Sequence, residues 1–418
     1  MNNYDNVNAK FIKIGMWKNG MLYENKGLKK DTAVLVMHSD ADYLSFPAGK
    51  ALASHGYTTL CSNVDHPISP LDKKLNDVKE AILYLKSIDY VKHIVILGHS
   101  GGATLMSLYQ AVAENTESIF QDDNRIVKMA KVGSLPKADA CMFIDSNFGN
   151  GAMTLMSIDP SVKDETSGIN LDDEFNIFDP KNGFNGQDTH YNEEFKKKFF
   201  IAQAKRNNEL ISYALEREKE LNNHEGLYLD DEPFIVPGAN QMAPNNKLFP
   251  EDTSLLSHTK NKYDLLHGDG SVTHEIIHSL RKSRGDKNLT PLLNMGSMQS
   301  TIRTFISSNA VRTTENYSVT EDGIYGIDYD SSYSCTPGNI QYISSPILIM
   351  GMTAGYEYLA SEILFEKAQS MDKTIAFVEG ASHMLFPAKD CEKYEGEFGD
   401  TVKTIFDFAA KWLEKEFN

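Results

Sequence analysis

Residues 94–102 read Ile94-Val95-Ile96-Leu97-Gly98-His99-Ser100-Gly101-Gly102. Four consecutive apolar residues suit a strand buried on both faces. The stretch from about Gly101 to Ala113 has helix character, so Ser100 is expected on a strand-to-helix turn. That is the setting the G-x-S-x-G pattern requires. The glycines have a physical reason: the turn is sharp, it holds the serine in a strained backbone conformation, and small neighbours avoid clashes with the strand and helix. Ser100 Oγ would then stand at the C-terminal edge of a sheet. The Gly101 N–H, at the helix start, would face a developing oxyanion. An ordinary Gly-rich turn can share these letters, and it is the strand before and the helix after that set this one apart.

The chain on either side repeats the alternation. Residues 32–37 (TAVLVM) read as a buried strand, followed by a helical stretch near 47–55 and a short strand at 57–61. Leu71, Leu75, Val78, Ile82, Leu85 and Ile88 recur every three or four residues and mark an amphipathic helix. Residues 140–144 give a further strand. The pattern returns with strands at 346–350 and 374–378, a helix at 359–370 and a final amphipathic helix. Strand and helix in alternation imply an α/β fold, with a mostly parallel sheet and helices on both faces. Near the N-terminus, FIKIGMWKNGMLY (residues 11–23) reads as a hairpin turning at Asn19-Gly20. Residues 151–340 differ in texture, with acidic and Asn/Gly-rich loops and a long polar helix near 191–222. They read as a large insertion between two parts of one core, 1–150 and 341–418.

A serine nucleophile on this architecture needs a general base beyond the last strands, in the chain order serine, acid, histidine. His383 lies in EGASHMLFP (residues 379–387), between the strand at 374–378 and the final helix. A loop histidine there shares the sheet edge with Ser100. It could take the hydroxyl proton and later deliver it to the leaving group.

The elbow GHSGG, the loop GASHMLFP and the strand order resemble the α/β-hydrolase superfamily over residues 11–150 and 340–418. The resemblance implies an oxyanion hole built from the residue after the nucleophile, Gly101, and from a loop after the third strand. Here that loop is His38-Ser39-Asp40-Ala41-Asp42-Tyr43, with the N–H of Ser39 or Asp40 as second donor. The family usually places an Asp after the next-to-last strand. This chain has Gly351-Met352-Thr353-Ala354-Gly355-Tyr356-Glu357 there, so two carboxylates compete for the acid role: Glu357, and Asp145 at the end of the preceding strand. The resemblance also implies that the insertion, placed after the sixth strand, forms a large, mainly helical cap over the nucleophile, which would exclude water and shape a pocket.

A competing motif stands in the insertion. His274-Glu275-Ile276-Ile277-His278 fits H-E-x-x-H, which on a helix presents two imidazoles on one face for zinc. No third ligand follows in the pattern expected of such enzymes, although His258 and His267 lie nearby.

Composition narrows the classes. Lys plus Arg is 41 and Asp plus Glu is 58, giving a net charge of −17. An acid excess argues against nucleic acid and against an anionic membrane surface. Cys61, Cys141, Cys335 and Cys391 form no C-x-x-C pair. No leader pattern and no bilayer-length apolar run is visible, which points to a soluble cytoplasmic protein. The expectation is therefore a cofactor-independent serine hydrolase, with no metal, acting on a small-molecule ester, lactone or related acyl compound. A metal-dependent hydrolase using the HEIIH segment, and a catalytically silent fold serving as a binding protein, remain the alternatives.

Overall fold

Apolar runs form the middle of the molecule because both faces of their strands are covered. The computed structural model describes residues 4–15, 18–285 and 287–417. Its strands are β1 (Val7–Ile14), β2 (Lys18–Asn25), β3 (Thr32–Met37), β4 (Thr58–Ser62), β5 (His93–Ser100), β6 (Ala140–Ser146), β7 (Pro233–Val236), β8 (His258–Leu266), β9 (Val272–His278), β10 (Met298–Thr301), β11 (Arg312–Val319), β12 (Ile324–Asp328), β13 (Ile347–Met352) and β14 (Lys373–Val378). Ten of them make one sheet in the order β1-β2-β4-β3-β5-β6-β13-β14-β8-β9. From β4 through β8 every neighbour pair is parallel, and the antiparallel pairs lie at the two ends.

Alternate residues of one strand feed opposite cores, as the period of two requires. Leu35, Ile94, Ile96 and Phe143 pack in one cluster with the helices α2 (Leu71–Lys86) and α3 (Gly101–Asn115). Val34, Val36, Val95 and Leu97 pack in the other, against α1 (Pro47–Ser54) and the last helix, Thr401–Phe417. Burying each such side chain is worth about 1.5–3 kcal/mol.

The hairpin is present, but its turn is not at Asn19-Gly20. β1 and β2 pair with Ile14 opposite Lys18, so Asn19 and Gly20 lie inside β2. Gly15, at φ +62°, begins the reversal, and Met16 and Trp17 fall outside the described residues. Gly20 answers a packing need, since a Cβ there would stand 2.7 Å from the Leu60 side chain.

The segment 151–340 mixes helices and strands. The helix α4 (Asn150–Met156) opens it and α5 (Glu193–Asn222) is its longest element, while β8 and β9 extend the main sheet beyond β14. β8 continues that sheet because Leu265 and Leu266 pair with Phe377 and Val378. The HEIIH segment is therefore strand β9, not helix. Its His274 and His278 stand on one face but about 13 Å apart, at ~3.3 Å per residue. His274 Nδ1 meets Asp264 Oδ1 at 2.9 Å, and His278 packs its ring against His258. Among the described residues no helix is long and apolar enough to cross a membrane.

Candidate active site

The parallel strands end together at one edge, and the chemistry gathers there. β5 runs into α3 through Ser100, whose backbone sits at φ +53°, ψ −131°. A non-glycine residue in that region costs of order 1–3 kcal/mol and is held by its surroundings. The surroundings are tight: a Cβ on Gly98 would lie 2.5 Å from Ala103 Cα, and one on Gly102 would run into the Met37 carbonyl oxygen.

His383 approaches from the loop after β14. Its Nε2 is 2.9 Å from Ser100 Oγ, and its Nδ1 is 2.7 Å from Asp145 Oδ2. Asp145 is the next-to-last residue of β6, is fully buried, and itself adopts a positive φ of 43°. Its other oxygen accepts the Met352 N–H at 2.9 Å, so both carboxylate oxygens are used. Ser100, His383 and Asp145 thus form one hydrogen-bonded chain. Glu357 does not join it: its Oε2 accepts the neighbouring Tyr356 N–H at 3.2 Å. It is nevertheless buried and close enough for its charge to act on His383.

Charge and burial oppose each other here. Burial disfavours the His383 imidazolium, but the Glu357 charge and then the Asp145 hydrogen bond and charge outweigh it, so the His383 pKa is raised. Burial also raises the Asp145 carboxyl above its ordinary range, and the contact with His383 offsets part of that rise.

The loop after β3 borders the same turn. A Cβ on Gly101 would lie 2.9 Å from both Ser39 Oγ and Asn150 Oδ1. Asn150 Nδ2 donates to Ser39 Oγ at 3.2 Å, and the Asn150 N–H donates to Thr104 Oγ1. The Asp40 N–H donates to His38 Nδ1 at 3.2 Å. Asn150 is a site neighbour that the sequence did not single out, because an Asn at the start of α4 looks like any helix-terminal residue. His99 is another, hidden as the variable position of G-x-S-x-G. Segment 151–340 reaches this region through Gln241, whose Nε2 donates to the Asn150 carbonyl oxygen at 3.4 Å.

A strained serine after a central parallel strand, with a histidine from the loop after β14 at the same edge, decides the architecture. The fold is that of the α/β-hydrolase superfamily. No family model and no curated relative matches the chain. Solved structures that resemble it include Est1E from Butyrivibrio proteoclasticus, at 11% identity over 98% of each chain with a TM-score of 0.41. Esterase B from Lactobacillus rhamnosis resembles it at 9% identity, covering 98% of this chain and 88% of that one, with a TM-score of 0.42. A soluble variant of monoglyceride lipase from Saccharomyces cerevisiae, solved with a substrate analogue, does so at 10% identity over 98% and 95%, with a TM-score of 0.44. At such identities each is a likeness of chain path and transfers no substrate.

The metal alternative meets a geometric obstacle in the HEIIH strand. Among the described residues, the one His/Cys/Asp/Glu group with mutually close ligand atoms is His99, Asp145 and His383. The ring nitrogens of both histidines are already in hydrogen bonds.

Proposed function

We propose that the protein is a serine hydrolase that cleaves a carboxylic ester, lactone or related acyl bond of a moderately large or apolar small molecule. The hydrogen-bonded chain Ser100–His383–Asp145 carries this reading. In it, Ser100 Oγ attacks the carbonyl carbon as His383 Nε2 takes its proton. Asp145 holds the Nδ1–H tautomer and stabilises the imidazolium. The tetrahedral oxyanion is received by the N–H of Gly101 and that of Ser39, since the Asp40 N–H is already given to His38. His383 then protonates the leaving alcohol, and water activated by the same imidazole releases the acyl group. The steps call on no cofactor.

Residues 151–340 serve as the cap in this reading, and the bond from Gln241 Nε2 to the carbonyl of Asn150, the neighbour of Ser39, supports that role. The silent-fold alternative drew on the missing Asp in residues 351–357. The carboxylate of Asp145, at hydrogen-bond distance from His383, favours an active site instead. Cys61, Cys141 and Cys335 are buried free thiols, which suits a reducing, cytoplasmic setting.

The test is turnover of p-nitrophenyl esters of increasing acyl length. The reading expects a burst of p-nitrophenol close to one equivalent when deacylation is slow, and its loss in Ser100→Ala. Equal turnover by Ser100→Ala would overturn it.

A further inference from the structure

One ring touches all three loops of the candidate site. His99 immediately precedes Ser100. Its Nε2 lies 2.6 Å from the backbone carbonyl oxygen of His383, and its Nδ1 lies 2.5 Å from the hydroxyl of Tyr43, in the loop that also holds Ser39. We propose that His99 is a positioning residue that ties the histidine loop and the oxyanion loop to the nucleophile turn, with Tyr43 as its obligatory hydrogen-bond donor.

The donor and acceptor roles follow from chemistry. A carbonyl oxygen can only accept, so His99 Nε2 carries the hydrogen. The neutral ring then leaves Nδ1 as an acceptor, and the Tyr43 hydroxyl must donate to it. Both ring nitrogens are satisfied only in this tautomer. Full burial keeps the ring neutral, with its pKa well below the usual histidine value. The ring also packs against His383 at 4.7 Å and Phe46 at 4.8 Å, and Tyr43 stacks on Phe46 at 4.5 Å. Tyr43 is fixed from behind, because its N–H donates to Asn63 Oδ1 at 2.8 Å.

The histidine loop needs such a hold. Leu385, two residues after His383, sits at φ +72°, an unfavourable conformation for a leucine. Thr401 Oγ1 anchors the Leu385 carbonyl on the far side, and His99 anchors the His383 carbonyl on the near side. Slack at either end would move Nε2 off Ser100, and an error of about 1 Å in a reacting pair can cost roughly 100-fold.

This inference rests on the hydrolase reading, and the experiment separates the two. The second-order rate of fluorophosphonate labelling at Ser100, and kcat and KM for one p-nitrophenyl ester, would be measured for the wild type, Tyr43→Phe, His99→Leu, His99→Gln and the double variant. Tyr43→Phe should slow labelling and kcat about tenfold, and His99→Leu about 100-fold, with KM within about twofold. His99→Gln, which keeps an amide donor and acceptor, should recover part of the loss. The double variant should be no worse than His99→Leu alone, since the two side chains act as one unit. Wild-type labelling rates in a folded Tyr43→Phe protein would overturn the proposal, as would losses that simply multiply in the double variant. Tyr43→Phe removes a single oxygen, so it decides the matter even where His99→Leu fails to fold. A wild type that does not label at Ser100 would overturn the hydrolase reading itself, and the lock with it.

Discussion

Two histidine–carboxylate pairs in this protein have nearly the same length and opposite surroundings. His383 Nδ1 and Asp145 Oδ2 are 2.7 Å apart, with the Asp145 side chain fully buried. His274 Nδ1 and Asp264 Oδ1 are 2.9 Å apart, with side chains 64% and 59% exposed. The first pair continues to a strained serine, whereas the second is a cross-strand pair on the exposed edge strand β9. Contact distance does not make a site. Burial gives a charge pair its strength, and a third group in line gives it a task. An exposed pair is worth about 0–1 kcal/mol, because water and salt screen it.

The comparison breaks most directly at the nucleophile. Ser100→Ala and His383→Ala should each lower kcat by about 10⁴–10⁶-fold in steady-state ester assays. Asp145→Asn comes next, at about 10⁴-fold, because the amide favours the wrong imidazole tautomer. Near-wild-type activity in a folded Asp145→Asn protein would hand the acid role to Glu357.

A third prediction sharpens the role of the second carboxylate. Ester cleavage needs neutral His383. The Glu357 charge favours the imidazolium and so moves the rising limb of kcat/KM to higher pH. Glu357→Gln should bring that limb to lower pH, with a change of less than about tenfold on the alkaline plateau. A limb that stays in place, or moves up, would show that this carboxylate has no hold on His383. The smallest effect belongs to the exposed pair. His274→Ala and Asp264→Asn should leave kcat/KM within about twofold, and stability by urea melt within about 0.5 kcal/mol. A chelator that removed activity together with a strong His274→Ala defect would reverse the contrast.

The elbow was legible because its constraints are local. Glycines at 98, 101 and 102, an apolar strand before and a helix after are all readable in a single string. His383 followed from chain order, since the strand at 374–378 and the last helix bracket it. The choice between Asp145 and Glu357 was not legible. It depends on which loop end reaches His383, and the two residues lie more than 200 positions apart in sequence. The roles of His99 and Tyr43 are not legible in the sequence, because only folding brings the His383 carbonyl to the ring. The HEIIH stretch misled for a different reason. A spacing of four places two side chains on one face of both a helix and a strand, and only the pairing of β9 with β8 separates those cases. The Asn19-Gly20 pair misled likewise, as Gly15 takes the reversal and Gly20 serves the close packing under Leu60.

The central claim is that Ser100 is made nucleophilic by His383 and Asp145. Intact mass after a fluorophosphonate, followed by peptide mapping, tests it most directly, with Ser100→Ala and Asp145→Asn alongside. The account predicts one adduct, on Ser100, absent in Ser100→Ala and formed far more slowly in Asp145→Asn. An adduct on another residue, or equal labelling of all three proteins, would contradict it.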